Sequence, residues 1–335
     1  MGHATRCVPI INALIKSNFE PIIASDGDAL KLLQQEFPNL KSFELPSYYI
    51  SYSKKRKFFK FKLLSKLPKV LRAVKKEKKE IAKIVKNEQI SGIISDNRFG
   101  ARSSSIPSVY ITHQIQVLSG NTTWLTSKIH RKIINKFDEC WIPDEVEQTF
   151  SGKLSNTEKL KIPFKFIGIL SRFKPKYIDK KYDLLVILSG VEPQRTILEL
   201  SLLKQLNNYS GAILFVRGVL NSEEMSSSIK NIKIKNYLLS KELEKAINQS
   251  EIVLARSGYS TIMDLAILQK KAFFIPTLGQ NEQEYLALFL KENRLVPFKK
   301  QQDFNISNLK EIENFNGFED CNSDSKIDLN TFSLF

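Results

Sequence analysis

Short apolar runs alternate with amphipathic stretches along most of this sequence, and this alternation limits the possible folds more than any other feature. It is typical of parallel β-strands, each followed by a helix that covers the sheet. In the first half, the apolar runs predict strands at Pro21–Ala24, Ser42–Leu45, Gly92–Ser95, Ser108–Thr112 and Cys140–Pro143. In the second half, they predict strands at Leu184–Leu188, Ala212–Val216, Ile232–Lys235, Ile252–Ala255 and Ala272–Pro276. The expected fold class is therefore α/β, with a parallel sheet in each half.

The amphipathic stretches between these runs predict helices at Ala29–Phe37, Lys69–Lys86, Thr196–Leu206, Lys241–Asn248, Ser260–Leu268 and Glu282–Glu292. The chain has 335 residues, and since a domain takes roughly 100–200 residues, we expect two domains. A Pro-flanked basic stretch at Pro163–Lys176 separates the two alternating blocks. We place an N-terminal domain at residues 1–165 and a C-terminal domain at residues 166–335. The polar tail 314–335 is expected to close the second domain or to be partly disordered.

The chain carries 51 Lys and Arg against 35 Asp and Glu, a net charge of +16. This excess favours anionic partners such as nucleic acid, acidic lipid or phosphorylated small molecules. No zinc-finger, helix-turn-helix or aromatic RNA-binding pattern accompanies it, so nucleic acid is not expected as a partner. The cysteines are scattered without metal-ligand spacing, which favours a reducing compartment and predicts neither a metal site nor a cofactor. Without a signal peptide or an apolar run long enough to cross a membrane, the expected location is cytoplasmic.

The segment Lys54–Lys86 combines many lysines with aromatic residues, among them Phe58, Phe59 and Phe61. Basic residues beside exposed aromatic rings bind anionic membrane surfaces. An amphipathic helix packed on the sheet, with a solvated lysine face, gives the same pattern. The sequence leaves both interpretations open.

The block from Ala255 to Asp264 has the strongest chemical signal in the sequence. An apolar strand ends in Ser257-Gly258, and a helix then begins near Thr261. A helix N-terminus offers free N–H groups and a partial positive charge, and the glycine lets the backbone approach closely, which together suit a diphosphate. Asp264 lies about one turn into the helix, where a carboxylate can accept hydrogen bonds from ribose hydroxyls. The alternative is a capped helix with a solvated Asp.

A second polar block follows the strand that ends at Pro276. It includes Gln283 and Glu284 at the start of the next predicted helix. Polar side chains at the carboxyl end of a strand are where open α/β sheets bind ligands. Gln283 and Glu284 are therefore candidates for hydrogen bonds to the hydroxyl groups of a sugar.

Together, these two blocks resemble the C-terminal half of the family 28 glycosyltransferases. The family pattern Ser-Gly-Ala-x-Thr-x-x-Glu is matched by Ser257-Gly258, Thr261 and Asp264, with Asp in place of Glu. The following Asp-x-Gln-x-Tyr pattern is matched by Asn281, Gln283 and Tyr285, with Asn in place of Asp. Three further segments agree with the family in part: Gly2-His3-Ala4-Thr5-Arg6, Gly168-Ile169-Leu170-Ser171-Arg172 and Ser189-Gly190.

The resemblance implies two Rossmann-like domains, the GT-B fold, and inverting transfer of a hexose from a UDP-sugar to an acceptor hydroxyl. The acceptor is a sugar or a lipid-linked compound, and peripheral contact with an anionic membrane accompanies the second option. The donor-binding residues implied are Arg172, Ser189, Gly190, Leu239, Ser257, Gly258, Thr261, Asp264, Gln283 and Glu284. Glu284 stands where members that transfer N-acetylglucosamine have a second Gln, which leaves the identity of the sugar open.

The resemblance also assigns His3 to the cleft as the catalytic base, because His is the side chain suited to proton abstraction near neutral pH. Asp96 and His113 each follow an apolar run and are candidates for the acceptor cleft. Each of these residues also has a structural interpretation, His3 as a helix cap and the other two as strand-end caps. His130 lies in a basic helix and is expected to be solvated.

Two other functions stay open: a UDP-sugar 2-epimerase, and a donor-binding subunit that has lost catalysis. The N-terminal domain opens directly into a glycine turn and helix, without the strand that normally begins a Rossmann-like half. We therefore expect the N-terminal domain to lack its first strand and the chain to be a shortened form of the enzyme.

Overall fold

In the computed structural model, residues 2–48, 59–219, 230–319, 327 and 329–335 are described, residues 59–68 by their backbone alone. The chain divides into two compact units. The first comprises Met1–Leu170 together with Ser325–Phe335, and the second comprises Ser171–Asp324. Both are α/β units whose described strands pair in parallel.

The first unit contains two parallel sheets. Its helices are α1 (Gly2–Lys16), α2 (Gly27–Glu36), α3 (Phe59–Asn87) and α4 (Thr123–Ile134). Its strands are β1 (Ile23–Ser25), β2 (Ser42–Glu44), β3 (Ile93–Asp96), β4 (Ser108–Ile111), β5 (Glu139–Ile142) and β6 (Phe164–Phe166). β1 pairs with β2, and the other strands form a sheet in the order β3-β4-β5-β6. Every residue of β4 and β5 is buried, as expected for central parallel strands that are covered on both faces.

The second unit is a doubly wound sheet. Its strands are β7 (Tyr182–Ile187), β8 (Ile213–Val216), β9 (Ile232–Lys235), β10 (Ser250–Ala255) and β11 (Lys271–Phe274). Its helices are α5 (Gln194–Leu206), α6 (Ser240–Asn248), α7 (Tyr259–Ile267) and α8 (Asn281–Glu292). The strand order is β11-β10-β7-β8-β9, so the direction of winding reverses between β7 and β10. Ligands of open α/β sheets bind beyond the carboxyl ends of the strands at such a reversal.

The predicted strands all correspond to observed strands, since buried parallel strands produce the continuous apolar runs from which they were predicted. β6 was missed. It is a three-residue strand inside the Pro-flanked stretch, and its first residue, Phe164, is exposed. The boundary between the units lies at Leu170/Ser171, compared with the predicted 165/166.

The assignment of the whole tail 314–335 to the second domain was wrong, because Ser325–Phe335 belongs to the first unit. The rings of Phe332 and Phe335 lie 5.9 and 6.2 Å from the ring of Trp141 in β5. Aromatic burial of this kind contributes enough apolar contact to hold a short terminal segment in place.

Candidate functional site

Several predicted donor-binding residues lie together at the carboxyl ends of the central strands in the second unit. Ser189 and Gly190 follow β7, and Ser257 and Gly258 follow β10. Thr277, which was not predicted as a donor-binding residue, follows β11. Gly190 has φ +105°, a conformation that favours glycine, and a Cβ placed on it would lie 3.7 Å from Thr277 Oγ1. The structure therefore brings these loops to the crevice that the reversal of strand order creates.

Helix α7 begins directly at this crevice. Its N-cap is Gly258, in an extended conformation, and its first turn contains no acidic residue. A Cβ placed on Gly258 would meet only Thr261 Oγ1 within 4 Å, at 3.8 Å. The first N–H groups of a helix have no intrahelical partner, so this end of α7 can receive an anion. Ser257 is buried, and its hydroxyl donates to the Gln283 carbonyl at 2.8 Å, which fixes the end of β10 against α8.

Asp264 lies in the second turn of α7, and Ser171 Oγ donates to its Oδ1 at 2.6 Å. Burial raises the pKa of Asp264 to about 6, although the Ser171 hydrogen bond and the charge of Arg172 act in the opposite direction. A partly desolvated carboxylate with one organised donor can accept further hydroxyl groups, which is the role predicted for it. Arg172 thus lies near enough to Asp264 for its charge to act on that carboxyl.

Gln283 and Glu284 lie in the first turn of α8, where each uses one oxygen to hold the loop after β11. Gln283 Oε1 accepts from the Thr277 N–H at 2.8 Å, and Glu284 Oε1 accepts from the Gly279 N–H at 3.0 Å. Their predicted contacts with sugar hydroxyls therefore depend on the remaining polar atoms of the two side chains. Leu239 is exposed at the N-cap of α6, where its N–H donates to Glu242, so this hydrogen bond is local to that helix.

Arg256 was not predicted as a site residue. It is buried, and its guanidinium donates to the carbonyls of Ile275 and Pro276 at 3.0 and 3.1 Å, and to that of Gln194 at 3.1 Å. Burial lowers its pKa to about 10. Arg256 thereby holds the ends of two strands and the start of α5 in place. Its position after an apolar strand was visible in the sequence, but its partners were not.

In the first unit, Asp96 at the end of β3 is the centre of a polar cluster. Arg6 Nε donates to Asp96 Oδ2 at 2.6 Å, and Arg6 Nη2 donates to Asp96 Oδ1. His3 Nδ1 lies 3.0 Å from Asp96 Oδ1, and Arg6 Nη1 lies 3.0 Å from His113 Nδ1. Burial raises the pKa of Asp96, but the charges of Arg6 and His3 outweigh it and hold the pKa well below its usual range.

The predicted acceptor-cleft residues Asp96 and His113 and the predicted base His3 therefore all contact the guanidinium of Arg6. The side chain of His3 is 56 % exposed, whereas that of Asp96 is 6 % exposed. His3 Nδ1 lies within hydrogen-bond distance of both Asp96 Oδ1, at 3.0 Å, and Arg6 Nη2, at 2.9 Å. Arg6 can only donate, so a hydrogen bond from it makes Nδ1 an acceptor and leaves the proton on Nε2. In the other tautomer Nδ1 donates to Asp96 and Nε2 is the acceptor, which is the form that a general base needs. His113 is buried and engaged by Arg6, so it holds the guanidinium in place. Arg6 was missed as a site residue, although its spacing from His3 on one helix face was a usable signal.

The expectation that His130 is solvated was wrong. His130 is buried, with Nε2 at 3.1 Å from the hydroxyl of Tyr110. Burial lowers its pKa to about 4. α4 turns His130 toward the core together with Ser127 and Ile134, whereas Lys128 and Lys132 are exposed.

Groups of acidic, His and Cys residues that could hold a metal ion are absent from the part of the chain that the structure describes. Within the same residues, no helix combines the length and apolar character needed to span a membrane. Of the three aromatic candidates in the basic segment, Phe58 lies outside the described residues, and the side chains of Phe59 and Phe61 are not described.

The second unit is similar in sequence to a known protein family. Residues 187–314 match the model of the glycosyltransferase family 28 C-terminal domain. The UDP-N-acetylglucosamine--N-acetylmuramyl-(pentapeptide) pyrophosphoryl-undecaprenol N-acetylglucosamine transferase of Nitratiruptor sp. is 22 % identical over 239 residues, 68 % of this chain and 65 % of that protein. The protein of the same name from Clostridium botulinum is 25 % identical over 365 residues, covering 98 % and 93 % of the two chains.

The matches to the first curated relatives span 65 % and 58 % of those relatives' lengths. Among solved structures, MurG of Acinetobacter baumannii covers 95 % of this chain and 90 % of its own, with TM-score 0.57 and 11 % identity. Spinosyn forosaminyltransferase SpnP covers 93 % of this chain and 87 % of its own, with TM-score 0.61 and 10 % identity. The resemblance and the GT-B fold predicted from the sequence are confirmed.

Proposed function

Because residues 187–314 match the model of the glycosyltransferase family 28 C-terminal domain, we propose that this chain is an inverting glycosyltransferase that moves a hexose from a UDP-sugar to an acceptor hydroxyl. The observation that carries the proposal is the crevice where β7 and β10 end. There a glycine-capped helix start lies one turn from the carboxylate of Asp264. These are the two features that a nucleoside diphosphate requires: donors for its phosphates and an acceptor for its ribose hydroxyls.

In this proposal, the N-terminus of α7 and the backbone at Gly258 bind the diphosphate, and Gly190 allows the opposite loop to approach it closely. Asp264 accepts the ribose hydroxyls, and Gln283 and Glu284 contact the sugar. UDP is favoured as the nucleotide because the relatives from Nitratiruptor and Clostridium are named for UDP-N-acetylglucosamine. The identity of the sugar in this chain stays open.

The proposed reaction is a single displacement at the anomeric carbon. The acceptor oxygen forms a bond to this carbon from the face opposite the leaving group and loses its proton to His3 Nε2. The bond between the anomeric carbon and the phosphate oxygen breaks, and UDP leaves with both bonding electrons. Asp96 orients His3 by accepting from its Nδ1, and the helix dipole of α7 together with Arg172 stabilises the charge on the departing diphosphate.

We further propose a lipid-linked acceptor and peripheral contact with an anionic membrane at its cytoplasmic face, since the names of the relatives include an undecaprenol carrier. The described part of α3 presents lysines such as Lys78 and Lys79 to solvent while Glu77 and Ile81 are buried. Exposed lysines on one side and buried residues on the other also fit a helix packed on the sheet.

A second exposed surface, on α4, supports membrane contact better. It combines the apolar side chains of Trp124, Leu125 and Ile129 with Lys128 and Lys132.

Release of UDP separates the candidate functions. The chain is incubated with UDP-N-acetylglucosamine, UDP-glucose or UDP-galactose, each with and without an undecaprenyl-pyrophosphoryl sugar. Release that requires the acceptor supports the transferase. Interconversion of the UDP-sugars without acceptor identifies the 2-epimerase, and binding of UDP without either reaction identifies a subunit that has lost catalysis. In each reaction Asp264→Ala is the control for the donor site, because loss of a charged hydrogen-bond partner weakens binding by about 1–3 kcal/mol.

A further inference from the structure

Two lysine side chains meet at the amino ends of the strands in the second unit. Lys180 lies in the segment before β7, and Lys270 lies between α7 and β11. Both side chains reach the start of β10, which is parallel to its two neighbours. The pair therefore lies at the edge of the sheet opposite the crevice where β7 and β10 end, and it is separate from the proposed donor site.

The ammonium groups of the two lysines share the same two acceptors. Lys180 Nζ donates to the carbonyl oxygens of Asn248 and Ser250 at 3.4 and 3.1 Å. Lys270 Nζ donates to the same two oxygens, each at 3.2 Å. Because both nitrogens contact the same oxygens, they lie no farther apart than two hydrogen bonds. Two ammonium groups at such a separation repel each other.

Within the described residues, neither lysine forms an ion pair with a carboxylate. The charged side chains that act on Lys270 are Lys180, which repels its ammonium, and Glu251 of β10, which attracts it. Burial and then the contact with Lys180 lower the pKa of Lys270 well below its ordinary value, and Glu251 opposes them with a smaller effect. Near neutral pH, Lys270 therefore holds far more neutral amine than an ordinary lysine does.

From this arrangement, we infer that Lys270 is a site of covalent modification by carbon dioxide, and that Lys180 is the counter-ion of the carbamate that forms. The inference depends on the geometry of the lysine pair alone. It is independent of the proposed sugar transfer, so either one can fail while the other stands.

The reaction needs dissolved CO₂ and the neutral amine. The lone pair of Lys270 Nζ forms a bond to the carbon of CO₂, and one carbon–oxygen π bond becomes a lone pair on oxygen. The nitrogen then loses one proton to solvent, so the product is a carbamate anion and no group is oxidised or reduced. CO₂ is small and uncharged, and it can therefore reach an amine whose side chain is only 7 % exposed.

The carbamate changes the sign of the interaction between the two lysines. Before the reaction, two ammonium groups compete for the same carbonyl oxygens. Afterwards, a carboxylate group on Lys270 lies beside the ammonium of Lys180, and opposite charges attract and form a charge-assisted hydrogen bond. Lys180 is exposed, and its long stem lets the ammonium follow the new group. The carbamate N–H stays available as a donor to one of the carbonyl oxygens.

The test uses the full chain at pH 7.5 in a closed vessel with 13C-labelled bicarbonate, which supplies dissolved CO₂. Triethyloxonium converts the labile carbamate to a stable ethyl carbamate, and peptide mass spectrometry locates the modified lysines. The internal control is the adjacent Lys271, which pairs with Glu319 at 3.6 Å. Two variants are compared with wild type: Lys270→Arg, which keeps the charge but lacks the amine, and Lys180→Gln, which lacks the counter-ion. Thermal melting is measured in bicarbonate and in sulfate of equal ionic strength.

The expected result is that trapped carbamate at Lys270 exceeds that at Lys271 by about tenfold or more, because an ordinary lysine is almost wholly protonated at this pH. The modified fraction rises from pH 6 to pH 8, since the reaction consumes neutral amine and releases a proton. Lys180→Gln lowers this fraction by about twofold or more, as the carbamate loses its ion pair. Bicarbonate raises the melting temperature of the second unit in wild type but not in Lys270→Arg.

Equal trapping at Lys270 and Lys271 in wild type overturns the inference, and this comparison decides the matter even if a variant does not fold. Equal increases of the melting temperature in bicarbonate and in sulfate, without trapped carbamate, identify a non-covalent anion site and overturn it as well.

Discussion

Replacing Asp264 by Asn is expected to stabilise the second unit while it weakens the binding of UDP. Asp264 is held by Ser171 Oγ at 2.6 Å, and burial raises its pKa to about 6 from an ordinary value of 3.8. The folded chain therefore carries a destabilised carboxylate at neutral pH. Asn keeps the oxygen that accepts from Ser171 and removes the charge.

The magnitude follows from the shift in pKa. A shift from 3.8 to about 6 corresponds to about 3 kcal/mol when the group is fully ionised. Because Asp264 keeps partial contact with solvent, we expect a gain of about 1–3 kcal/mol. Between pH 3.8 and about 6, the folded wild type binds more protons at Asp264 than the unfolded chain does. The free energy of unfolding of the wild type therefore falls as pH rises through this window, and the cost of the buried carboxylate is fully present above it.

The assay is unfolding of wild type and Asp264→Asn at pH 8 and at pH 4.5. At pH 8 the variant should melt higher, by about 2–4 °C for each kcal/mol in a unit of this size. At pH 4.5 the difference in stability should fall to about a third of that at pH 8, because the folded carboxyl is then mostly protonated. Glu292→Gln, at an exposed position of α8, is the control for loss of one negative charge. Calorimetry at pH 8 should show UDP binding weakened by about 1–3 kcal/mol.

Two results contradict this reasoning. If the stability difference between Asp264→Asn and wild type is the same at pH 4.5 and pH 8, Asp264 is not a destabilised carboxylate. If the affinity for UDP is unchanged in the folded variant, Asp264 does not contact the ribose. The first result concerns the electrostatics of the fold and the second concerns the proposed donor site.

Three further predictions concern the first unit. Arg6→Gln should destabilise the first unit by about 3–5 kcal/mol in chemical denaturation, because the substitution leaves the Asp96 carboxylate buried without its charged partner. Arg6→Lys, which keeps the charge, is the comparison. A loss of less than about 1 kcal/mol in Arg6→Gln contradicts this prediction. His3→Gln should slow transfer by about 10²–10⁴-fold in single-turnover assays and leave the UDP affinity unchanged; near-normal turnover removes His3 as the base. Binding to vesicles should require anionic lipid and weaken as salt shortens the screening length to about 8 Å. Trp124→Ala with Lys128→Ala should reduce it in co-sedimentation, whereas binding that ignores lipid charge and salt contradicts the membrane proposal.

Much of the fold was predictable because its signals are local. The buried strands β4, β7, β8 and β10 appear as continuous apolar runs, and the helices between them appear as amphipathic stretches. The Ser257-Gly258 turn was recognisable for the same reason, since a strand end, a glycine and a helix start are adjacent in sequence. β6 lacked such a signal, because it is short and begins at an exposed residue.

The contacts around the sites were predictable only in part. His3, Asp96 and His113 could be proposed one by one, because each lies at a helix start or a strand end. Their assembly around Arg6 depends on strand order, which places residues about a hundred positions apart in contact. The burial of Asp264 and its bond to Ser171 are likewise products of packing between segments 93 positions apart.

The sequence by itself determined the α/β class, the strands and helices, and the location of the glycine turn with its carboxylate, because backbone periodicity and burial leave a pattern within ten to twenty residues. Only the tertiary structure decided that Phe332 and Phe335 pack on Trp141 in the first unit. It also decided that Arg6 contacts both Asp96 and His113, and that β1 and β3 line one cavity. The physical reason is that hydrogen-bond periodicity acts along the chain, whereas the pairing of distant strands and the burial of charges depend on which surfaces meet when the whole unit packs.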